Sequence, residues 1–427
     1  MIVQYRKAGM NEQQRPVSRR GLLKTAAAAV ATAPIQRVRT VARPTLGETN
    51  AEFKRFSGAT IFALYQELKT KREGPAALKT ERAAKKKRVA EWIRQRRPGF
   101  SLRDRQLFEA GWTVMRSART GEGILSWRRL RIATPAELGV PPYTASPEEM
   151  ASTVKKAARL YGAASAGIAP MNENYVSLKH AGKDIVFEPA DLPAVTAQRL
   201  VIPKKMKWVV AIAIPMDLDL IARAPTALCG GATTLGYSHC AFAVATLAEF
   251  IRGLGYQAIP SVNDLAQNVP FALDAGLGEL SRLNRLITPH FGPAVRLAKV
   301  FTDMPMTCDK PIDFGAVEFC KRCKRCAQAC PAGALSLDDQ PGFQVRGPWN
   351  NPGHKAWFED CYKCYRYWQQ VTTECSICFA ACPYTQASRS FQGMDDPFGA
   401  GRQPDPEAWW TQDPPVLENT DRNVCAT

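Results

Sequence analysis

Apolar residues recur at helical spacing in two stretches near the middle of the chain. The first stretch, residues 145–170, begins with Ser146 followed by a proline and two glutamates, which is a helix-start signal. The second stretch, residues 236–256, ends at Gly253 and Gly255, which favour a helix stop. The apolar positions are Met150, Val154, Ala157 and Leu160 in the first stretch and Cys240, Val244, Leu247, Ile251 and Leu254 in the second. This spacing predicts two helices, each with one buried face.

Two shorter stretches have the pattern of β-strands. Residues 185–189 read IVFEP and residues 207–215 read KWVVAIAIP, and the second is apolar enough to be buried on both faces. Further upstream, residues 79–97 read KTERAAKKKRVAEWIRQRR, which is typical of an exposed helix. Pro98 and Gly99 end that helix.

Changes in composition along the 427 residues predict two or three domains. The predicted parts are a leader over 1–34, a basic helical region over 35–135, a domain over 136–302, a cysteine-rich module over 303–395 and a tail over 396–427. The only internal repeat is the duplicated cysteine run within the module.

The chain is strongly basic, with a formal net charge of +18. Residues 69–105 carry 14 Lys and Arg against four acids. Such a run is usually a solvated face, and as a hypothesis it contacts anionic lipid headgroups, where each cation gains roughly 1 kcal/mol. Nucleic acid is less expected as a partner, because the run lacks the regular aromatic interleaving that stacks bases.

The N-terminus has the pattern of an export signal. Residues 18–24 read SRRGLLK, and a small-residue apolar run follows to Pro34. This resembles a twin-arginine signal, with Leu22 in place of the usual phenylalanine. The alternative is a basic N-terminus without an export signal. Roughly ten apolar residues are too few to span a bilayer, which needs about twenty. We therefore expect a protein exported by the Tat pathway, in the periplasm or peripheral to the outer face of the cytoplasmic membrane.

Nine of the 13 cysteines lie between residues 320 and 382. Cys320-x2-Cys323-x2-Cys326-x3-Cys330-Pro has the spacing of bacterial ferredoxins, in which three thiolates of one loop bind one [4Fe–4S] cluster and the fourth binds a second cluster. A second run, CSICFAACP, supplies the partner ligands. Zinc is the alternative metal, but zinc sites do not require the fourth cysteine of one motif to bind at a second site. Structural disulfides fit this crowding still less.

The spacing assigns two clusters. Cluster one takes Cys320, Cys323, Cys326 and Cys382; cluster two takes Cys330, Cys375, Cys378 and either Cys361 or Cys364, of which we favour Cys364. The other cysteines, Cys229, Cys240, Cys308 and Cys425, are interpreted as packing residues or free thiols. Two clusters within reach of each other pass single electrons, so a redox centre is expected elsewhere in the chain.

Several motifs in succession resemble the corrinoid-dependent reductive dehalogenases of organohalide respiration, over roughly residues 95–392. They include TPAELGV, GYSHCAFAVATLAEFIRGLGY, GLGELSRLNRLITPHFGP and CSICFAACPY. The resemblance implies an α+β fold, with a nitroreductase-like corrinoid-binding domain followed by a bacterial-ferredoxin-like module of two [4Fe–4S] clusters. It also implies a small organohalide substrate, replacement of a carbon–halogen bond by carbon–hydrogen, and an integral-membrane anchor protein. The upstream electron donor is left unassigned.

The resemblance also implies site residues. Tyr237 matches the family's proton donor near the start of a helix, Arg296 the cation beside it, and Asn263 a third pocket position. A free tyrosine has a pKa near 10, so it needs a cation to stabilise its phenolate. Arg282 and Arg285 are the alternative cations. Without the surrounding motifs, Tyr237 would be interpreted as a residue that forms a helix-start hydrogen bond. Arg296 would be interpreted as a salt-bridge residue and Asn263 as a turn residue.

Aromatic and histidine residues complete the expected site. We expect Trp357, Tyr362 and Tyr365, with Trp368, to line the cofactor pocket, although such aromatics are more often plain core. No Asp-x-His-x-x-Gly pattern is present, so the corrinoid cobalt is expected to have no protein imidazole ligand. His180, His239, His290 and His354 are expected to be surface or hydrogen-bonded residues.

Two other functions stay open at the level of sequence. An epoxyqueuosine reductase, acting on tRNA, shares the corrinoid domain and the paired clusters, but that family carries an acid where this chain has Tyr237. A ferredoxin-type electron-transfer protein would have the clusters and no corrinoid.

Overall fold

The computed structural model describes residues 37–56 and 61–391, together with Pro406 and Trp410. The predicted leader and Cys425 lie outside the described residues. None of the helices in the described part of the chain is long and apolar enough to cross a membrane.

The described residues form short and long helices around small sheets. The helices are α1 (Ile61–Glu73), α2 (Ala77–Arg94), α3 (Leu102–Gly111), α4 (Thr113–Ser117), α5 (Pro147–Leu160), α6 (Leu218–Ala222), α7 (Ala227–Gly253), α8 (Asn268–Asp274), α9 (Ala316–Arg322), α10 (Arg325–Gln328), α11 (Cys361–Val371), α12 (Ile377–Ala380) and α13 (Pro383–Phe391). The strands are β1 (Arg39–Thr40), β2 (Ser165–Pro170), β3 (Lys179–His180), β4 (Lys183–Glu188), β5 (Ala194–Val195), β6 (Arg199–Pro203), β7 (Trp208–Pro215), β8 (Ala258–Ser261), β9 (Glu279–Leu280), β10 (Leu286–Ile287), β11 (Val295–Thr302) and β12 (Ile312–Asp313). Two 3-10 turns cover Gly123–Leu125 and Glu173–Tyr175.

An antiparallel sheet of order β2-β7-β11-β8 forms the centre. The predicted apolar strand is β7, and its six inner residues are buried, as expected for a strand covered on both faces. Alternate residues of β7 enter two different cores. Val210, Ile212 and Ile214 pack with α5 and α7, whereas Val209, Ala211 and Ala213 belong to the core that reaches the cysteine module.

The longest helix, α7, covers one face of this sheet. Its predicted stripe is confirmed, because the side chains of Cys240, Val244, Leu247 and Ile251 are buried. The helix starts earlier than the pattern suggested, since Thr226 caps it by accepting a hydrogen bond from the Cys229 amide. Glycines in its first turns allow close packing by neighbouring side chains. Tyr237 therefore lies about three turns inside α7 and not near the start of a helix, which corrects the expectation.

The other predicted elements are present with altered ends. α5 begins after Ser146, whose side chain accepts from the Glu149 amide, and it ends at Leu160, which is 82% exposed. The chain then continues into β2 instead of extending the helix. The predicted strand at 185–189 is β4, in a second sheet of order β3-β4-β6-β5. α2 is the predicted exposed helix and has no buried residue.

The N-terminal region lies against the cysteine module. β1 pairs with β12, and Arg39 forms an ion pair with Asp313 at 2.6 Å. Glu48 pairs with Lys355 at 3.0 Å, so the contact continues along the segment. The N-terminal segment thus contacts residues that lie about 300 positions later in the sequence. The predicted domain boundaries stay a prediction.

Candidate redox and active site

The first thiol group lines a small cavity in the cysteine module. Its members are Cys320, Cys323, Cys326 and Cys382, the four thiols assigned to cluster one. Cys320 comes from α9, Cys326 from α10, and Cys382 follows α12. No three His, Cys, Asp or Glu side chains of the described residues are arranged to hold a single metal ion. The four thiols instead stand around a shared cavity that also contains Arg282 and Tyr384.

The second thiol group forms where α11 approaches the turn before α12. Cys364, Cys375 and Cys378 each interact electrostatically with Cys330. Cys361 has a different environment, because its thiol donates a hydrogen bond to Glu359 Oε1 at 2.9 Å and its side chain lines a larger cavity. The geometry therefore groups Cys364, and not Cys361, with the other three thiols.

Burial changes the acidity of these thiols. It raises the pKa of Cys320 to about 11 and also raises those of Cys326, Cys375 and Cys382 above the ordinary thiol value. A buried thiol at such a pKa stays protonated at neutral pH unless a cation compensates the thiolate. Iron supplies that compensation, since ligation requires and stabilises the deprotonated form. The donor sets thus fit metal clusters.

A larger cavity, of about 530 Å³, lies beside the second thiol group. Tyr237 of α7, Asn263 after β8, and Arg296 of β11 all line it, so the structure brings together the three predicted catalytic residues. The pairing of β11 with β7 and the packing of α7 on this sheet set their positions.

Tyr237 lies between a cation and an aromatic ring. The Arg296 guanidinium carbon is 4.9 Å from the centroid of the Tyr237 ring, and Trp112 stacks on that ring at 5.4 Å with an interplanar angle of 11°. Arg296 Nη2 donates to Thr233 Oγ1 at 3.1 Å. Arg296 forms no salt bridge with a described residue, so the structural role considered for it does not apply within that part of the chain. Its charge remains available to the phenol beside it.

Asn263 is oriented by a buried lysine. Lys299 is fully buried, and its Nζ donates to Val262 O, Ala266 O and Asn268 Oδ1 at 2.7–3.1 Å. Asn268 Nδ2 in turn donates to Asn263 Oδ1 at 2.7 Å. This contact occupies the carbonyl of Asn263 and leaves its NH2 group as the donor available to the cavity. Burial lowers the pKa of Lys299 to about 8.

The cavity wall suits a large ligand rich in amides. Six of its side chains are amides, namely Asn263, Gln267, Asn268, Asn284, Asn350 and Asn351. Four buried polar atoms of lining residues have no hydrogen-bond partner in the described structure, namely Arg296 Nε, Trp349 Nε1, Asn351 Nδ2 and His354 Nδ1. Buried polar groups are normally satisfied, so these atoms indicate that a bound polar molecule completes the site. A corrinoid, whose ring carries amide side chains, fits this set.

The second thiol group is the one next to the cavity. Phe379 follows Cys378 in the chain, lines the cavity, and lies with its ring centroid 5.9 Å from the Arg296 guanidinium carbon. Cys361 also lines the cavity and is close to Cys364. The small cavity of the first group shares no lining residue with the large one. The order is therefore cavity, second group, first group.

Three predicted cofactor residues do not line this cavity. Trp357 is 1% exposed, and its Nε1 donates to Asp338 O at 3.0 Å. Tyr362 and Tyr365 pack on Tyr65 of α1 with ring centroids 5.1 and 4.8 Å away. Trp357 therefore packs within the cysteine module, and Tyr362 and Tyr365 pack α11 against α1. None of the three is among the residues that line the cavity, which corrects the expectation.

Other residues that the sequence did not single out do line the cavity. Phe53 and Phe56 come from the N-terminal segment, and Trp349 and Phe358 precede α11. Trp112, at the end of α3, reaches Tyr237 from the basic region. No motif marks these residues; only their aromatic character was a signal. His354, expected to be a surface or hydrogen-bonded residue, also lines the cavity and packs edge-on against Phe358. The expectation that no protein imidazole binds the cobalt stays a prediction.

Comparison with known proteins agrees with this arrangement. Residues 319–385 match the family "4Fe-4S double cluster binding domain". The tetrachloroethene reductive dehalogenase of Sulfurospirillum multivorans is 40% identical over 264 residues, covering 58% of this chain and 52% of that protein. That of Desulfitobacterium hafniense is 33% identical over 296 residues, covering 62% and 53%. The matched part of the chain thus spans about half the length of these curated relatives.

The fold is also found among solved structures. A catabolic reductive dehalogenase superposes with a TM-score of 0.58 at 22% identity, over 86% of this chain and 48% of the other. An epoxyqueuosine reductase of Listeria monocytogenes is a more distant relative, 27% identical over 155 residues, which is 36% of this chain and 38% of that protein. The resemblance to reductive dehalogenases, and the mixed α and β fold with a C-terminal double-cluster domain, are thereby confirmed.

Proposed function

We propose that this chain catalyses reductive dehalogenation, in which two electrons and one proton replace a carbon–halogen bond by carbon–hydrogen. The observation that carries the proposal is the position of Tyr237, held between Arg296 and Trp112 on the wall of a cavity that adjoins the second thiol group. A proton donor and an entry for electrons therefore meet at one cavity.

The thiol groups are the proposed cluster ligands. Cys320, Cys323, Cys326 and Cys382 hold cluster one; Cys330, Cys364, Cys375 and Cys378 hold cluster two. The match of residues 319–385 to a double-cluster domain supports this assignment. Clusters held by these thiols would supply electrons to the cavity, and cluster two would be the nearer donor, because the second group is the one beside the cavity wall.

The cavity is the proposed corrinoid and substrate site. A corrinoid supplies cobalt that becomes strongly nucleophilic on reduction, and we propose that no protein imidazole binds it. A solved neighbour of this fold is a reductive dehalogenase described as carrying out B12-dependent dehalogenation. The six amide side chains and the unpartnered donors of the wall are the residues that would hold the ring.

Tyr237 is the proposed proton donor, through its Oη. A phenol is a weak acid, and the adjacent guanidinium of Arg296 stabilises the phenolate that remains after transfer. Asn263, with its carbonyl occupied by Asn268, offers an N–H to the substrate or to Tyr237. Trp112 covers the other face of the phenol and excludes water from it.

The substrate is proposed to be a small organohalide. The curated relatives are named for tetrachloroethene, trichloroethene and chloroethene, and one solved neighbour is complexed with 3-bromo-4-hydroxybenzoic acid. Aromatic side chains of the wall, such as Phe53, Phe56 and Phe358, suit an apolar molecule of this kind.

The cellular setting is a proposal that rests on the leader motif. The paired arginines at positions 19 and 20 support export by the Tat pathway with the clusters already folded in place. We propose that the protein then lies at the outer face of the cytoplasmic membrane, held by an integral-membrane anchor protein. Removal of the paired arginines should leave the protein in the cytoplasm, as fractionation would measure.

The test is anaerobic reconstitution of the full chain with iron, sulfide and a corrinoid. We expect about eight irons and one cobalt per chain, as two cubes and one corrinoid require. Halide release from chlorinated ethenes and brominated phenols, with a reduced viologen as donor, should then follow. Zinc in place of iron, or iron without bound corrinoid, would contradict the proposal. Reduction of epoxyqueuosine in a tRNA stem-loop, without halide release, would favour the distant relative's activity.

A further inference from the structure

Arg282 is a buried cation whose hydrogen bonds all go to backbone oxygens. It lies between β9 and β10 and is 0% exposed. Its Nε donates to Cys320 O and Cys323 O at 3.0 and 3.1 Å, and its Nη2 donates to Cys320 O at 2.7 Å. Its Nη1 donates to Ser336 O and Asp338 O at 2.9 and 2.6 Å. The guanidinium therefore joins the loop that carries the first cysteines to the segment that follows it.

No acid of the described residues forms an ion pair with Arg282. The carboxylate of Asp338, whose backbone accepts from Arg282, binds Ser336 and Arg346 instead. Glu279, an acid close to Cys320, accepts hydrogen bonds at Oε2 from the amides of Phe314 and Ala316 and forms no ion pair with Arg282. A buried charge without a counter-charge costs several kcal/mol, so an anion is expected close to it.

The anion that fits is the cluster itself. Arg282 lines the same small cavity as Cys320, Cys323, Cys326 and Cys382. A [4Fe–4S] cluster with four thiolate ligands carries a net negative charge, and that charge increases by one when the cluster accepts an electron. Among the groups that line this cavity, Arg282 is the single cation.

Resting on the function proposed above, we propose that Arg282 is the buried counter-cation of cluster one. It fixes the first cysteine loop through the Cys320 and Cys323 carbonyls and stabilises the reduced cluster relative to the oxidised one. In both respects it is a positioning residue, since it touches the loop and faces the cluster but does not contact the substrate.

The cation beside the second thiol group is already paired with an acid. Arg285, which lies on that side, forms a salt bridge with Glu359. Glu359 also accepts a hydrogen bond from the Cys361 thiol. The charge of Arg285 is thus already neutralised within the protein. The contrast confines the proposed effect to cluster one.

The experiment compares Arg282→Gln with the unaltered protein, both loaded with iron, sulfide and corrinoid. The readouts are iron content and an EPR-monitored redox titration with dithionite and mediators, which follows both clusters separately. In Arg282→Gln we expect the reduced-to-oxidised ratio of cluster one, at a fixed potential, to fall at least tenfold, which is about 59 mV for one electron. The midpoint of cluster two should stay unchanged.

Two further variants separate charge from shape. Arg282→Lys keeps the charge and should keep the cluster-one ratio within about threefold of the unaltered value. Lys324→Gln is the matched control, because Lys324 lies on the same loop but is partly exposed and paired with Asp339. Water and this partner screen its charge, so its removal should change the ratio less than threefold.

Each outcome decides the proposal. Arg282→Gln with eight irons and an unshifted cluster one would overturn it, as would a shift of equal size in Lys324→Gln. If Arg282→Gln loses cluster one alone and Arg282→Lys retains it, the proposal is supported. If Arg282→Lys loses cluster one as well, the role of charge is overturned. If Arg282→Gln does not fold, Arg282→Lys decides alone: a tenfold shift there would overturn the proposal. Absence of both clusters from the unaltered protein would instead refute the function on which the proposal rests.

Discussion

In the cysteine module, seven of the eight grouped thiols come from two short motifs, whereas in the cavity each of the three polar residues comes from a different element. Cys320 to Cys330 and Cys375 to Cys382 are placed by local turns and by short helices of four to seven residues. Tyr237, Asn263 and Arg296 are placed by a long helix, a loop and a strand. The first arrangement depends on spacing along the chain and the second on sheet register.

This difference sets how each region responds to change. Most ligands of the module have no substitute, because the other grouped thiols are committed to their own groups. Cys364 is the exception, because the ungrouped thiol of Cys361 lies close to it. A cavity residue is supported by neighbours such as Trp112, Thr233 and Asn268, so substitutions there alter function in graded steps. Predictions ordered by size test this contrast.

The largest effect is expected in the module. Cys364→Ala removes a thiol of the second group, so the variant should lose about half of its iron and all turnover, because the step from the module to the cavity is broken. Cys361→Ala is the matched control on the same helix, and it should keep about eight irons, since Cys361 binds Glu359. Iron analysis and EPR measure both. Iron loss in Cys361→Ala with retention in Cys364→Ala would reverse the assignment.

Tyr237→Phe should lower kcat by about 10²- to 10⁴-fold, the usual contribution of a general acid. Iron and corrinoid content should not change, because the ring still stacks on Trp112. Tyr256→Phe is the control, since the Tyr256 hydroxyl only donates to Tyr143 O at 2.8 Å, outside the cavity. Halide release under steady state is the measurement. Equal rates in Tyr237→Phe and the unaltered protein would show that the proton has another source.

Asn268→Ala should have a smaller effect, a loss of about fivefold in kcat/KM, the size of one net hydrogen bond of about 1 kcal/mol. The cause is release of the Asn263 amide, which then no longer presents its NH2 group in a fixed direction. Ser146→Ala removes a comparable local hydrogen bond away from the cavity, the one from the Glu149 amide, and should leave kcat/KM unaltered. A loss of the same size in both variants would indicate general destabilisation.

The smallest effect concerns pH and stability. The pKa of Lys299 is about 8 in the folded protein and about 10.4 when unfolded. Between these values the unfolded chain binds more protons, so the free energy of unfolding should rise with pH, by up to about 1.4 kcal/mol per unit. Lys299→Met should lack this rise. Anaerobic thermal denaturation from pH 7.5 to 10 tests it, and parallel pH profiles would contradict it.

The sequence by itself determined most of the cysteine module. Ligand spacing is a local property, so the division of Cys320, Cys323 and Cys326 from Cys330 followed from the motif alone. Apolar periodicity likewise determined α5, α7 and β7, because one face or both faces of each element must be buried. The start of α7 did not follow, since its first turns are rich in glycine and neighbouring side chains pack closely on them.

Only the tertiary structure decided which residues meet at the cavity. The sequence favoured Cys364 without excluding Cys361, and the hydrogen bond from Cys361 to Glu359 separates the two in the structure. Trp357 and Arg282 looked like pocket residues in the sequence, yet both are buried behind the first cysteine loop. Trp112 and Phe53 come from a region with no motif. The physical reason is that contacts between distant segments depend on sheet register and helix packing. These are determined by the free energy of the whole fold, so a local sequence pattern does not predict them.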